Sequence, residues 1–115
     1  MSVITTAERH ISVGNEAFHR QDFAAAREAY NVAFSELRAV ANSVEGKIPA
    51  QVRCGNNLTV VLFKLKQFDE ARLVCESVLE VAPPGDGRIK ALKNLGKVCG
   101  ADRMAVLSMG RGSGW

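Results

Sequence analysis

Cysteines, histidines, and a scatter of lysines and asparagines are the residues of this chain that could carry chemistry. The thiols are Cys54, Cys75 and Cys99. Their number is odd, their spacings are wide, and no two form a C-x-x-C pair. That pattern argues against a disulfide framework or a zinc site and for reduced thiols packed inside an intracellular protein. His10 and His19 lie too far apart on one helix to share a ligand, and no Cys or carboxylate cluster joins them. His10 reads as a packing residue and His19 as an exposed one. There is no G-x-S-x-G, no P-loop and no paired-carboxylate motif, so the residues suggest neither an enzyme nor a cofactor. The remaining signal is cationic. Lys90, Lys93 and Lys97 follow i, i+3, i+7 and share one helix face.

The charge is unevenly distributed. Residues 1–50 carry five Lys and Arg against six acids, whereas residues 51–115 carry ten against six. The net charge of +3 therefore belongs to the second half. The start, MSVITTAERH, lacks a basic segment followed by an apolar run. The longest apolar run, from Leu58 to Phe63, is far too short for a bilayer. We therefore expect a cytoplasmic protein with no membrane partner. A nucleic-acid partner is not expected either, because the chain has one Arg-Gly step and few aromatics to stack bases.

These residues must be positioned by helices, since no segment alternates over a strand length. Thr5-Thr6-Ala7-Glu8 has the form of a capping box and predicts a first helix from about Thr6 to Arg20. Gln21-Asp22 is a tight turn with Asp22 as the cap of a second helix, Phe23 to about Ala41. Asn42 to Pro49 is a loop, and Pro49 suits the opening of a third helix reaching about Lys66. A fourth helix spans Phe68 to Val81. Ala82-Pro-Pro-Gly-Asp-Gly is a stop and a turn. A fifth helix runs from Gly87 or Arg88 to Cys99 and ends at Gly100. Asp102 caps a short sixth helix to Met109. Residues 110–115, Gly-Arg-Gly-Ser-Gly-Trp, read as a flexible tail after a helical domain of residues 1–109. Trp115 is either an anchor or a disordered end.

The chain also repeats itself. A shift of 45 residues places Ala17-Phe18 on Leu62-Phe63, Phe23 on Phe68, Ala26 on Ala71 and Tyr30 on Cys75. A shift of 37 places Arg53 on Lys90, Asn57-Leu58 on Asn94-Leu95 and Val61 on Val98. Repetition at this length signals stacked supersecondary units. Gly14 and Ala26 then mark a close helix crossing, with Phe18, Phe23 and Tyr30 filling the wedge beside it.

The unit resembles the tetratricopeptide repeat, W-x2-L-G-x2-Y…A-x3-F…P over ~34 residues. Repeat one reads His10-x2-Val13-Gly14-x2-Ala17…Ala26-x3-Tyr30. Repeat two reads Leu58-Thr59-x2-Leu62…Ala71-x3-Cys75…Pro83. A third begins Leu92-x2-Leu95-Gly96-x2-Cys99 and then departs from the pattern. Cys75 and Cys99 thus fall at core positions of the repeat. The longer first spacing is similar to that of immunophilin-type co-chaperones, which carry an insertion between their first two repeats. The resemblance implies an all-α solenoid of two full repeats, the first helix of a third, and a short C-terminal helix.

It also implies a concave surface lined by helices one, three and five. The groove candidates are Glu8, Ile11, Asn15 and Phe18 or His19 on the first; Arg53, Asn56 or Asn57, Val60 and Lys64 on the third; and Lys90, Lys93 or Asn94, and Lys97 on the fifth. Such a groove suits an acidic or carboxylate-bearing peptide. The lysines read equally well as a solvated face of a terminal helix, and the asparagines as groups that satisfy nearby backbone. The co-chaperones grip the acidic C-terminal tails of Hsp70 and Hsp90 with a carboxylate clamp. Asn15, Asn57 and Lys90 match three clamp positions, but Ile11 and Asn94 stand where the family has Lys and Arg. The expected role is therefore a peptide-binding adaptor, co-chaperone-like. The alternative is a structural subunit of a larger assembly. Under that reading Met104, Val106, Leu107 and Met109 offer an apolar C-terminal edge for a partner or for self-association.

Overall fold

The computed structural model describes residues 3–112, with side chains described as far as Ala101. Five helices fill this range: α1 (Val3–His19), α2 (Phe23–Arg38), α3 (Lys47–Lys64), α4 (Phe68–Val81) and α5 (Asp86–Gly112). No strand occurs among the described residues, and no helix among them is long and apolar enough to cross a membrane. Each helix packs on the next. In addition α3 lies beside both α1 and α5, while among the described residues α1 and α5 do not approach each other.

Two tight turns make the hairpins, and they are the same turn. Gln21 and Lys66 both adopt left-handed backbone, at φ 61° and 60°. The Gln21 N–H donates to the Phe18 carbonyl at 2.9 Å and the Asp22 N–H to that of Ala17 at 2.9 Å. Forty-five residues later the Lys66 N–H donates to Phe63 at 3.0 Å and the Gln67 N–H to Leu62 at 2.8 Å. This is the Schellman arrangement, which satisfies the orphan carbonyls at a helix C-terminus. The aromatic pair beside each turn also repeats. Phe18 and Phe23 meet edge-on at 5.5 Å, and Phe63 and Phe68 do so at 5.7 Å. After the first turn the Asp22 side chain accepts the Ala25 N–H and caps α2.

The hairpin crossings are built on small residues. A Cβ on Gly14 would lie 2.6 Å from the Tyr30 ring, so α2 lays its tyrosine directly over the α1 backbone. Tyr30, rather than Ala26, is thus the residue opposite Gly14. At the corresponding place in the second hairpin, Cys75 Sγ donates to Thr59 Oγ1 at 3.5 Å. A Cβ on Gly55 would lie 2.2 Å from Val78 and 2.9 Å from Phe34, so this glycine is pressed between α4 and α2. Leu37, Leu58, Val61, Leu62 and Val78 close the core around these crossings with no exposed surface. The larger first spacing has three sources. α2 has sixteen residues and α4 fourteen. Residues 39–46 join α2 to α3, whereas only residues 82–85 join α4 to α5. Lastly, α5 begins two residues later than a shift of 37 from α3 would place it.

Several boundaries differ from expectation. α1 starts at Val3, so the Thr5-Glu8 box lies within the helix. Ile4 packs onto the core and carries the helix past the box. α2 stops at Arg38. α3 begins at Lys47, with Pro49 in its first turn, where a missing N–H is tolerated. Lys47 itself is buried, only 2% exposed, and its Nζ donates to Asn42 Oδ1. The largest difference is α5, which runs unbroken through Gly100 to Gly112 in place of two helices and the beginning of a tail. Gly100 does not take up left-handed backbone. A glycine inside a helix costs only about 1 kcal/mol, and the surrounding Ala101, Arg103, Met104 and Ala105 are good helix formers. Residues 113–115, including Trp115, lie outside the described residues, as do the side chains of Met104, Val106, Leu107 and Met109.

Candidate functional site

The face of α3 that looks toward α1 and α5 carries three adjoining cavities. The first, about 200 Å³, is lined by Asn15, Phe18, His19, Tyr30, Asn57 and Val60. The second, about 400 Å³, lies between α3 and the start of α5, with Arg53, Asn56, Asn57, Arg88 and Lys90 supplying polar groups over an apolar wall that includes Ile48 and Pro83. A third, about 190 Å³, includes Lys64, Asn94, Lys97 and Val60 in its lining. Asn57 belongs to the first two cavities and Val60 to the first and third, so the three form one run along α3.

Tyr30 sets the α1–α3 end of this run from behind. Its hydroxyl donates to Asn15 Oδ1 at 2.5 Å, and Asn57 Nδ2 donates to the same oxygen at 3.5 Å. Burial pushes the phenol pKa up, with a further push from Cys54, so the ring stays a neutral donor. Cys54 Sγ donates to the Tyr30 carbonyl at 3.4 Å. Burial drives that thiol up to about 12, which keeps it protonated and unreactive at neutral pH. Tyr30 therefore ties Gly14, Asn15 and Cys54 together.

Eight of the nine residues expected in the groove, namely Asn15, His19, Arg53, Asn57, Lys64, Lys90, Asn94 and Lys97, line this run. Lys93 lines none of the three cavities. Ile11, a groove candidate from the sequence, is buried in the core. Its neighbour-to-be on α3, Asn56, is also buried at 8% exposure, and its Nδ2 donates to the Gly87 carbonyl at 3.1 Å. It pins the start of α5 to α3, which leaves half-buried Asn57 as the amide that reaches Asn15. Neither asparagine of the α1–α3 pair serves the backbone; they serve each other and Tyr30. Tyr30 was legible in the sequence only as a wedge residue, because nothing in the spacing shows a phenol meeting Asn15.

Arg53, Lys64, Lys90 and Lys97 are exposed, and among the described residues none has a carboxylate partner. The ion pairs that do form lie elsewhere. His10 Nδ1 meets Glu36 Oε1 at 2.7 Å, so half-buried His10 is a hydrogen-bond partner of α2 and lies outside the buried core. Arg27 reaches Glu70 at 3.4 Å. Of the thiols, Cys54 and Cys75 are buried, but Cys99 is exposed, contrary to its repeat position. Among the described residues no second helix covers the side of α5 on which it stands. No protein-family model matches the chain.

Proposed function

We propose that this chain is a non-catalytic, tetratricopeptide-like module that binds an extended acidic peptide along the α1–α3–α5 face. The observation that carries the reading is the run of cavities along α3, edged by four exposed cations that have no carboxylate partner among the described residues and floored by the Asn15–Asn57 pair. Repeated hairpin turns, repeated aromatic pairs and the placement of α3 between α1 and α5 support the solenoid reading. Arg53 and Lys90 border the same cavity and would share one carboxylate, with Asn57 beside them. Charge-assisted hydrogen bonds of this kind contribute about 1.5–3 kcal/mol each. Ile11 is buried and Asn94 is an amide, so the face offers fewer cations than a full chaperone-tail clamp. A peptide with a single gripped carboxylate fits it better than a doubly anionic end.

Fluorescence anisotropy with a labelled acidic peptide ending in a free carboxylate tests this at two salt concentrations. Binding should saturate, weaken with salt, and fall about tenfold or more in Asn57→Ala and in Lys90→Ala. Lys93→Ala, outside the cavities, should fall much less. An absence of saturable binding, or equal losses in all three variants, would overturn the reading. The exposed stripe on α5 favours a second role, in which that edge joins the chain to a larger assembly.

A further inference from the structure

The cations along α3 stand in two groups. Arg53 and Lys90 border the cavity of about 400 Å³ between α3 and the start of α5. Lys64 and Lys97 border the third cavity, further along both helices. α3 and α5 therefore run the same way, and the valley between them is cationic at both ends. Its middle is uncharged: Asn57, Val60 and Asn94 lie between the two groups. All four cations are exposed, and none has a carboxylate partner among the described residues.

The other charges at the first end are already engaged. Arg88 Nη1 donates to the Leu79 carbonyl at 3.1 Å and to the Ala82 carbonyl at 3.2 Å, closing the end of α4. Asp86 stands in the first turn of α5, where its charge complements the helix dipole. Arg53 and Lys90 are thus the pair left for a ligand. Helix rise fixes how far the second pair lies from the first. Arg53 to Lys64 spans eleven residues of α3, or ~16.5 Å, and Lys90 to Lys97 spans seven residues of α5, or ~10.5 Å. An extended peptide advances ~3.3 Å per residue. The two spans then equal about five and about three of its residues, with a mean of about four.

We infer that this valley binds a peptide with two carboxylates about four residues apart, one on each pair of cations. The inference rests on the acidic-peptide reading and adds to it a spacing and a direction. The α4–α5 loop borders the Arg53–Lys90 end through Pro83 and Pro84, and with Ile48 and Val52 it makes an apolar wall there. The peptide's last side chain fits that wall, with its terminal carboxylate on Arg53 and Lys90. The chain then runs back over Asn57, Val60 and Asn94, and an acidic side chain about four residues before the end reaches Lys64 and Lys97. An acid next to the terminal residue would lie against the uncharged middle, where it loses water without gaining a cation. An acid about eight residues back would lie past Lys64, beyond the end of α3.

A series of labelled peptides, titrated with the full chain and followed by fluorescence anisotropy, tests this. Each has a Gly-Ser background, an apolar last residue and a free carboxyl end. One glutamate is moved stepwise from the residue before the end to about eight residues back, and a parent peptide has none. Affinity should peak with the glutamate about three to five residues back and there exceed both ends of the series about fivefold, as for one exposed carboxylate shared by two lysines. Lys97→Ala should lower the peak and leave the parent peptide's affinity unchanged, whereas Lys90→Ala should weaken every peptide. Lys93→Ala removes the same charge outside the cavities and should leave the peak standing. All three lysines are exposed, so the variants keep their fold, which unchanged circular dichroism would verify. Saturable binding with no peak, or a peak that survives Lys97→Ala, would overturn the spacing while leaving the acidic-peptide reading in place. If Lys97→Ala weakened every peptide and Lys90→Ala only lowered the peak, the direction would be overturned. No saturable binding by any member of the series would overturn both.

Discussion

The same substitution at equivalent places in two repeats should have opposite effects. Gly14 and Gly96 occupy corresponding positions of α1 and α5. Replacing a helical glycine by alanine gains about 1 kcal/mol from reduced backbone freedom in the unfolded chain. At Gly96 nothing opposes that gain, because the new methyl meets open space. At Gly14 the methyl would lie 2.6 Å from Tyr30 Cε1 and 2.7 Å from Cδ1, far inside the ~3.5–4.0 Å of a favourable carbon contact. The ring has little room to yield. Tyr30 is buried, its hydroxyl is held by Asn15 and its carbonyl by Cys54. Overpacking of this kind costs about 1–3 kcal/mol, and losing the Tyr30–Asn15 bond would cost about 1 more. Gly14→Ala should therefore lose about 1–3 kcal/mol net, and Gly96→Ala should gain up to about 1. For a domain of this size each kcal/mol moves Tm by about 4 °C, so the two variants should straddle the parent. Thermal and urea unfolding followed at 222 nm would read this. If Gly14→Ala stabilises as much as Gly96→Ala, Tyr30 does not lie on α1 as described. If Gly96→Ala destabilises the purified chain, the α5 face is already covered.

Other outcomes follow from the turns and the thiols. Gln21→Gly and Lys66→Gly should each stabilise by up to about 1 kcal/mol in urea unfolding, because a non-glycine residue in left-handed backbone costs about 1–2 kcal/mol; Ala at either site should not. At pH 8 a thiol reagent should modify one of the three cysteines at once, Cys99, and the buried Cys54 and Cys75 only as the chain unfolds; fast reaction of two or three would contradict the described core. The Cys54 thiol is raised from 9.0 to about 12, so between those values the folded chain holds a proton that the unfolded chain has released. Stability should therefore fall as pH rises from 9 toward 12. Unfolding of Cys54→Ala should show a shallower fall over the same window, and identical slopes would contradict the assignment.

What was legible in the sequence was whatever repeats. The shift of 45 located both hairpins, and the structure adds that the turn residues Gln21 and Lys66 share a backbone conformation that no propensity for Gln or Lys would suggest. There the hairpin requires the left-handed residue, and the edge-on Phe18–Phe23 and Phe63–Phe68 pairs hold it, so tertiary packing outweighs local preference. The start of α1 was misplaced for a related reason. A capping box is a local signal, and Ile4 burial lies outside it. Gly100 misled in the same way, since glycine ends a helix only when the chain takes the left-handed turn, and here it does not. At the candidate site, the repeat resemblance named Arg53, Lys64, Lys90 and Lys97, and all four line the cavities along α3, because they need only face one way. It could not separate Asn56 from Asn57, adjacent amides of which one is buried on Gly87 and the other reaches Asn15. Nor could it see that Cys99, at a repeat position buried elsewhere, would be exposed, because that depends on a helix the described chain does not provide. Repetition tells which face of a helix wants a neighbour; only coordinates tell whether the neighbour is there. On α5, among the described residues, the two disagree at Ile89, Leu92, Gly96 and Cys99, which repetition marks for cover and the structure leaves exposed.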